Sequence, residues 1–296
     1  MEKKDLAIKD YFKQGIFKGK VLLLTGGTSK MLYKIALDFM ELGGNVALIS
    51  RRKEELDRVA KELMNKTGQV AKGYALNLKL HEEYENIVDQ VLKDFGSINY
   101  LLNGAAGNFL AFAENLSYNA FKTVLEIDTL ATFYMSKMVY TKYMKKNGGV
   151  IVNISANLHH LGTLMNSHAS AAKAGVDAIT KTLALEWGPY NVRVNGVCPG
   201  SIEGTEGMDR LSKPEKNSDN KDNNRADYMK KLIETIPLQR LGTRSDVSNA
   251  CIFLFSDLAS YISGQTIEVD GYSKGTLPNF LIGFPGFDKL WLKPKF

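Results

Sequence analysis

Thr25, Gly26 and Gly27 interrupt an apolar run, Val21–Leu24, and just beyond them Met31, Leu32, Ile35, Ala36, Phe39 and Met40 recur at helical spacing. A short buried strand, a glycine turn and a helix make an anion site. Backbone N–H groups and the positive end of the helix dipole face whatever lies in the turn, with Ser29 at the helix entrance. Arg51 and Arg52 close the next apolar run, Asn45–Ser50. Nucleotide-binding sheets place an acidic group there for a ribose hydroxyl. Arginine suits a 2′-phosphate instead, through a charge-assisted fork, so the expected cofactor is NADPH. Later apolar runs also end in polar residues: Asn77, the segment Asn103 to Phe109, Ser155 to His160, and Pro199-Gly200. Ligands of an open parallel sheet lie beyond the carboxyl ends of its strands, which makes these residues candidate contacts. The adjacent His159 and His160 make no metal site without further ligands.

These residues need elements to hold them. Apolar runs at 21–24, 45–50, 70–76, 99–102, 150–154, 192–197 and 265–269 read as strands. Helical repeats at 31–42, 53–65, 81–95, 118–146, 167–187 and 245–255 lie between or after them. Alternation of this kind predicts an α/β fold, a doubly wound parallel sheet, in one domain over 1–296. Residues 1–18 form an N-terminal extension. Residues 211–225 are almost wholly polar and are expected to be a mobile surface loop, a lid over a substrate cleft. The tail 277–296 carries Phe280, Leu281, Phe284, Phe287, Leu290, Trp291 and Phe296, side chains that must pack on the domain or a sister subunit.

With 44% hydrophobic and 24% charged residues, the composition is that of a soluble globule. No apolar run approaches the ~20 residues of a membrane span. The formal net charge of +6 favours acidic ligands, and no Lys/Arg block argues for nucleic acid. Cys198 and Cys251 lack a CxxC spacing and read as buried, reduced thiols. The N-terminal segment has neither a signal-peptide core nor the arginine-rich, acid-poor character of a transit peptide, and Pro-Lys-Phe at the end is not a Ser-Lys-Leu address.

Several segments together resemble the short-chain dehydrogenase/reductases, Rossmann-type proteins, and within them the peroxisomal-type 2,4-dienoyl-CoA reductases. They are Asn103-Gly-Ala-Ala-Gly-Asn-Phe-Leu110, Ile127-Asp-Thr129, Ala171-Ala-Lys-Ala174, Gly204-Thr-Glu-Gly207 and Pro237-Leu-Gln-Arg-Leu-Gly242. The resemblance implies reduction of a 2,4-dienoyl-CoA thioester by NADPH in unsaturated fatty acid β-oxidation. Its catalytic residues would be Asp128 and Lys173. Its cofactor contacts would be Thr25, Gly26, Ser29, Arg51, Arg52, Asn77, Asn103, Gly107, Lys173, Pro199 and Gly200. Asn108, Phe109, Ser155 and His159 would face the acyl-CoA substrate, and His168 matches a histidine of the family. Most short-chain reductases carry Tyr-x-x-x-Lys, with the phenol as proton donor. Ala169 stands there in this chain, as in the dienoyl-CoA reductases. A homotetramer is implied, in the mitochondrial matrix or the peroxisome.

The chain departs from the family at the turn itself. Lys30 and Leu32 occupy the second and third glycine positions of Thr-Gly-x-x-x-Gly-x-Gly, Asn77 replaces an aspartate, Ser201 a proline and Tyr272 a glycine. The Leu32 isobutyl group is expected to overpack by about 1–3 kcal/mol. Set against cofactor affinity, that is about a tenfold to hundredfold loss. The alternative reading is therefore a catalytically impaired reductase fold serving as a subunit of a larger assembly.

Overall fold

The computed structural model describes residues 8–160, 162–205, 208 and 229–273. Seven parallel strands form one sheet in the order β3-β2-β1-β4-β5-β6-β7. They are β1 Val21–Thr25, β2 Asn45–Ser50, β3 Ala71–Ala75, β4 Tyr100–Asn103, β5 Gly149–Ile154, β6 Val192–Pro199 and β7 Thr266–Val269. The order reverses between β1 and β4, and the crevice above that pair is where such sheets bind ligands. The polar loop 211–225 and the tail 277–296 lie outside the described residues, as do Glu206 and Gly207 of the segment Gly204-Thr-Glu-Gly207.

Strand β1 shows why the apolar run is unbroken. Successive side chains point to opposite faces. Leu22 and Leu24 join the core under α1 (Lys30–Glu41), α2 (Lys53–Thr67) and α6 (Arg244–Phe255). Leu23 joins the core under α3 (Tyr84–Phe95), the long helix α4 (118–147) and α5 (Ser167–Trp187). Both faces are covered, so every residue of the strand is buried. Burying each leucine contributes about 1.5–3 kcal/mol.

The helix expected over 118–146 is continuous but not uniform. Two turns within α4, Glu126–Leu130 and Tyr140–Met144, are widened to π geometry. The first carries Asp128. Wide turns of this kind recur at functional sites because they re-aim a side chain without ending the helix. Within the described part of the N-terminal extension, Phe17 is buried and stacks on Phe39 of α1 at 4.4 Å. Cys198 and Cys251 are buried and form no disulfide among the described residues, and burial pushes the Cys251 thiol up. Among the described residues no helix is long and apolar enough to cross a membrane.

Candidate active site

Register aligns the strand ends. Thr25 sits beside Ile49 of β2 and Asn103 of β4, and Asn103 sits beside Asn153 of β5. The Thr25 hydroxyl accepts from the Gly104 and Ala105 amides at 3.1 and 3.3 Å, which ties the β4 loop to the glycine turn. Gly26 adopts φ +83° with Ala105 backbone atoms 3.1 Å from the place of a Cβ, so the turn requires glycine. The Gly26 and Gly27 amides both donate to the Ile49 carbonyl, at 2.8 and 2.9 Å. What remains to meet an anion is the first turn of α1, whose amides have no acceptor within the helix. Ser29 is its N-cap, and its side chain makes no capping bond.

Leu32 does not press on this turn as overpacking would require. It is buried inside the fold, with its methyl carbons over the bare faces of Gly26 and Gly104. A Cβ on Gly104 would lie 2.5 Å from Leu32 Cδ2, and one on Gly26 would lie 2.8 Å from Cδ1. The leucine takes space that two missing side chains leave open. Lys30 points outward, exposed, at the start of α1. Gly104→Ala is accordingly expected to cost about 1–3 kcal/mol by overpacking. Leu32→Ala alone should cost about 2–5 kcal/mol as a cavity. The double variant should lose less than the sum of the two. Urea midpoints of the three variants check this, and strict additivity would contradict the shared slot.

Arg51 is exposed at the end of β2 and has no ion pair among the described residues. Arg52 is directed at Glu55, 2.5 Å away, and is 73% exposed. Asn77 is exposed at the end of the β3 segment, its side-chain oxygen accepting from the Lys79 amide at 3.2 Å. Pro199 and Gly200 close β6, and the Gly200 amide donates to the Val269 carbonyl at 3.0 Å.

Asn103 is buried. Its amide nitrogen donates to Ser136 and to Asn153, both at 2.9 Å, and Asn153 in turn donates to Thr180 at 2.9 Å. This chain of bonds locks β4 to β5 and to the helices behind them. The Asn103 side-chain oxygen is buried without a partner.

The centre of the site is a buried ion pair. Asp128 Oδ2 lies 3.1 Å from Lys173 Nζ, and the two residues are 2% and 6% exposed. Asp128 Oδ1 accepts from the Gly107 amide at 2.8 Å, and Lys173 donates to the Ile154 carbonyl at 2.9 Å. One carboxylate thus fixes the β4 loop while one ammonium fixes the end of β5. Each charge keeps an opposite charge and a backbone partner, as buried ions require. Ala169, one turn before Lys173, is buried and offers no proton.

The loops after β4 and β5 form the wall beside this pair. Ala111 donates to the Met165 carbonyl at 3.0 Å, and the Asn108 amide donates to the Asn166 side chain at 3.0 Å. Phe109 stacks on the fully buried His168, ring centroids 4.4 Å apart. Neither His168 nitrogen has a partner, nor does the buried Ser155 hydroxyl. Phe109, Leu110, Phe112 and Leu164 expose large apolar surface along these loops, a face suited to an acyl chain. His159, on the loop after β5, has a partner on α5. Its Nε2 lies 3.0 Å from Asp177 Oδ2 on α5. Sequence spacing gave no sign of that partner, because Asp177 becomes a neighbour only once the loop folds over the helix.

The family model described as enoyl-(acyl carrier protein) reductase matches residues 31–272. The peroxisomal 2,4-dienoyl-CoA reductase of Rattus norvegicus is 44% identical over 268 residues, covering 90% of this chain and 88% of the relative. The corresponding protein of Saccharomyces cerevisiae is 36% identical over 263 residues, covering 88% of this chain and 86% of its own. Among solved structures, a citronellol catabolism dehydrogenase of Pseudomonas aeruginosa superposes with a TM-score of 0.75 at 31% identity, covering 88% of this chain and 98% of that one. NAD+-bound xylitol dehydrogenase superposes at 0.80 with 27% identity, covering 86% of this chain and 99% of that one. The chain belongs to the short-chain dehydrogenase/reductase family.

Proposed function

We propose that this short-chain dehydrogenase/reductase reduces a 2,4-dienoyl-CoA thioester with NADPH, in the oxidation of unsaturated fatty acids. The observation that carries the reading is the buried Asp128–Lys173 pair, held at the carboxyl ends of β4 and β5, with alanine at the position of the usual proton-donating tyrosine. An ordinary ketone needs a donor at its oxygen. A conjugated thioester takes its proton on carbon, so the donor can stand elsewhere. The relatives at 44% and 36% identity, both named as reductases of that substrate class, support the same choice.

NADPH, when bound, supplies hydride to the far end of the diene. The residues of this chain do the rest. Exposed Arg51 meets the 2′-phosphate, and Lys30 with the first turn of α1 meets the pyrophosphate charge. Lys173 orients the cofactor ribose and holds Asp128 in place. Asp128, as the carboxylate partner of Lys173, holds and polarises a water that gives its proton to the dienolate near the thioester, and the hydroxide left behind takes a proton from solvent. Phe109 and its apolar neighbours line the acyl chain, and Ser155 donates towards the thioester oxygen. The coenzyme A phosphates suit a chain of formal net charge +6.

We place the protein in the peroxisome, as the names of these relatives do for them. It acts there as a homotetramer whose contacts use Leu130 and Tyr134 of α4 and Leu185 of α5, all exposed here. Native mass spectrometry checks the assembly, and a clean monomer would contradict it. The test of function is NADPH oxidation, followed by absorbance, with 2,4-hexadienoyl-CoA. Turnover is expected with the diene and not with a simple ketone. Ketone reduction without diene reduction would overturn the reading.

A further inference from the structure

The geometry points to a divalent transition-metal site, of the zinc type, formed by His159, His160 and Asp177 where α5 faces β7. Each offers one ligand atom, and the three atoms lie within 4.8 Å of one another. This site is independent of the Asp128–Lys173 pair and of any reading of the reaction.

The two histidines come from one short turn, Asn157–His159 and the residue after it, with ring centroids 4.4 Å apart and planes at 78°. Adjacent residues on a tight turn converge on one point without an extended backbone between them. Asp177 is one helical turn beyond Lys173 on α5. Its Oδ2 faces His159 Nε2 at 3.0 Å. A metal ion entering this contact replaces the single proton that the two atoms share. The other carboxylate oxygen, Oδ1, accepts from the Thr266 hydroxyl of β7 at 3.2 Å. That is the outer bond which orients a ligating carboxylate. Glu268, also on β7, stands 3.5 Å from His160 Nδ1, beside the group.

Two imidazoles and a carboxylate suit zinc, cobalt or iron(II), and a three-residue set leaves a coordination position for water. Calcium or magnesium would prefer an all-oxygen set. A second observation marks the turn as unfinished: His159 Nδ1 is buried and has no hydrogen-bond partner. Metal at Nε2 would fix the tautomer with the proton at Nδ1. The site would staple the loop after β5 to α5, and the same loop begins with Ser155 at the catalytic wall.

The test uses the full chain without an affinity tag, with Co2+ alone as the probe and Zn2+ as competitor. One equivalent of Co2+ is expected to bind with visible d–d bands, which Zn2+ abolishes. Zn2+ should raise the melting temperature, and EDTA should reverse the rise. His159→Gln and His160→Gln are each expected to remove the bands, while His81→Gln leaves them. Thr266→Val should weaken binding by about 10–100-fold. Should His159→Gln fail to fold, the more exposed His160 carries the test. Absence of saturable binding by the wild-type chain, or bands that persist in a folded histidine variant, would overturn the proposal.

Discussion

Asp128→Asn is expected to lower turnover of a dienoyl thioester by about 10²–10⁴-fold, the usual contribution of a positioned acid or base. The substitution is nearly isosteric. The amide oxygen can still accept from the Gly107 N–H, a bond of 2.8 Å in the parent, so the β4 loop should keep its place. What the amide lacks is the charged, basic oxygen that polarises the water protonating carbon. Lys173 would lose its counterion but keep the Ile154 carbonyl, 2.9 Å away. The expected signature is therefore a fall in kcat with KM for NADPH little changed. Steady-state kinetics read the split. An unchanged kcat would move the proton source to another buried group of the wall, with Ser155 and His168 the nearest in kind.

Lys173→Met is expected to act on stability as well as on chemistry. Methionine nearly matches the volume of the lysine stem but removes its charge. Asp128, 2% exposed, would then be buried with the Gly107 amide as its remaining side-chain partner. Breaking one side of a buried ion pair costs about 3–5 kcal/mol, because the other charge stays behind. Chemical denaturation should show that loss, and NADPH affinity should fall because Lys173 also serves the cofactor. Adding Asp128→Asn should restore part of the stability, though none of the activity. A single variant within about 0.5 kcal/mol of the parent would mean that the pair is not held as tightly as its geometry indicates.

Much of the fold could be read from the chain because its signals are local. The unbroken run Val21–Leu24 requires cover on both faces, and the sheet supplies it. Helix α5 has the bounds expected from its repeat, Ser167–Trp187, and the strands differ from expectation by a residue or two at their ends. The contact between Asp128 and Lys173 follows from the order of the elements, since α4 and α5 pack side by side after β4 and β5.

Features that depend on distant partners were not legible. Leu32 reads as an intruder in the turn until Gly104, on another strand's loop, is found to leave it room. The widened turn at Glu126–Leu130 has no proline or glycine to announce it. The contact of His159 with Asp177 joins two residues far apart in the chain, and no spacing announces it. Tyr272 stands where the resemblance has glycine, and its φ of 66° shows why glycine suits that place.

Catalysis by this chain requires a dinucleotide lying against the start of α1 despite Lys30 and Leu32, and a fluorescence titration with NADPH tests this most directly. Leu32 is folded inward and Lys30 adds a positive charge at the surface, so saturable binding below about 100 µM, tighter than for NADH, is the predicted result. No binding at millimolar NADPH would contradict it, because Asp128 and Lys173 would then have no hydride donor to act beside.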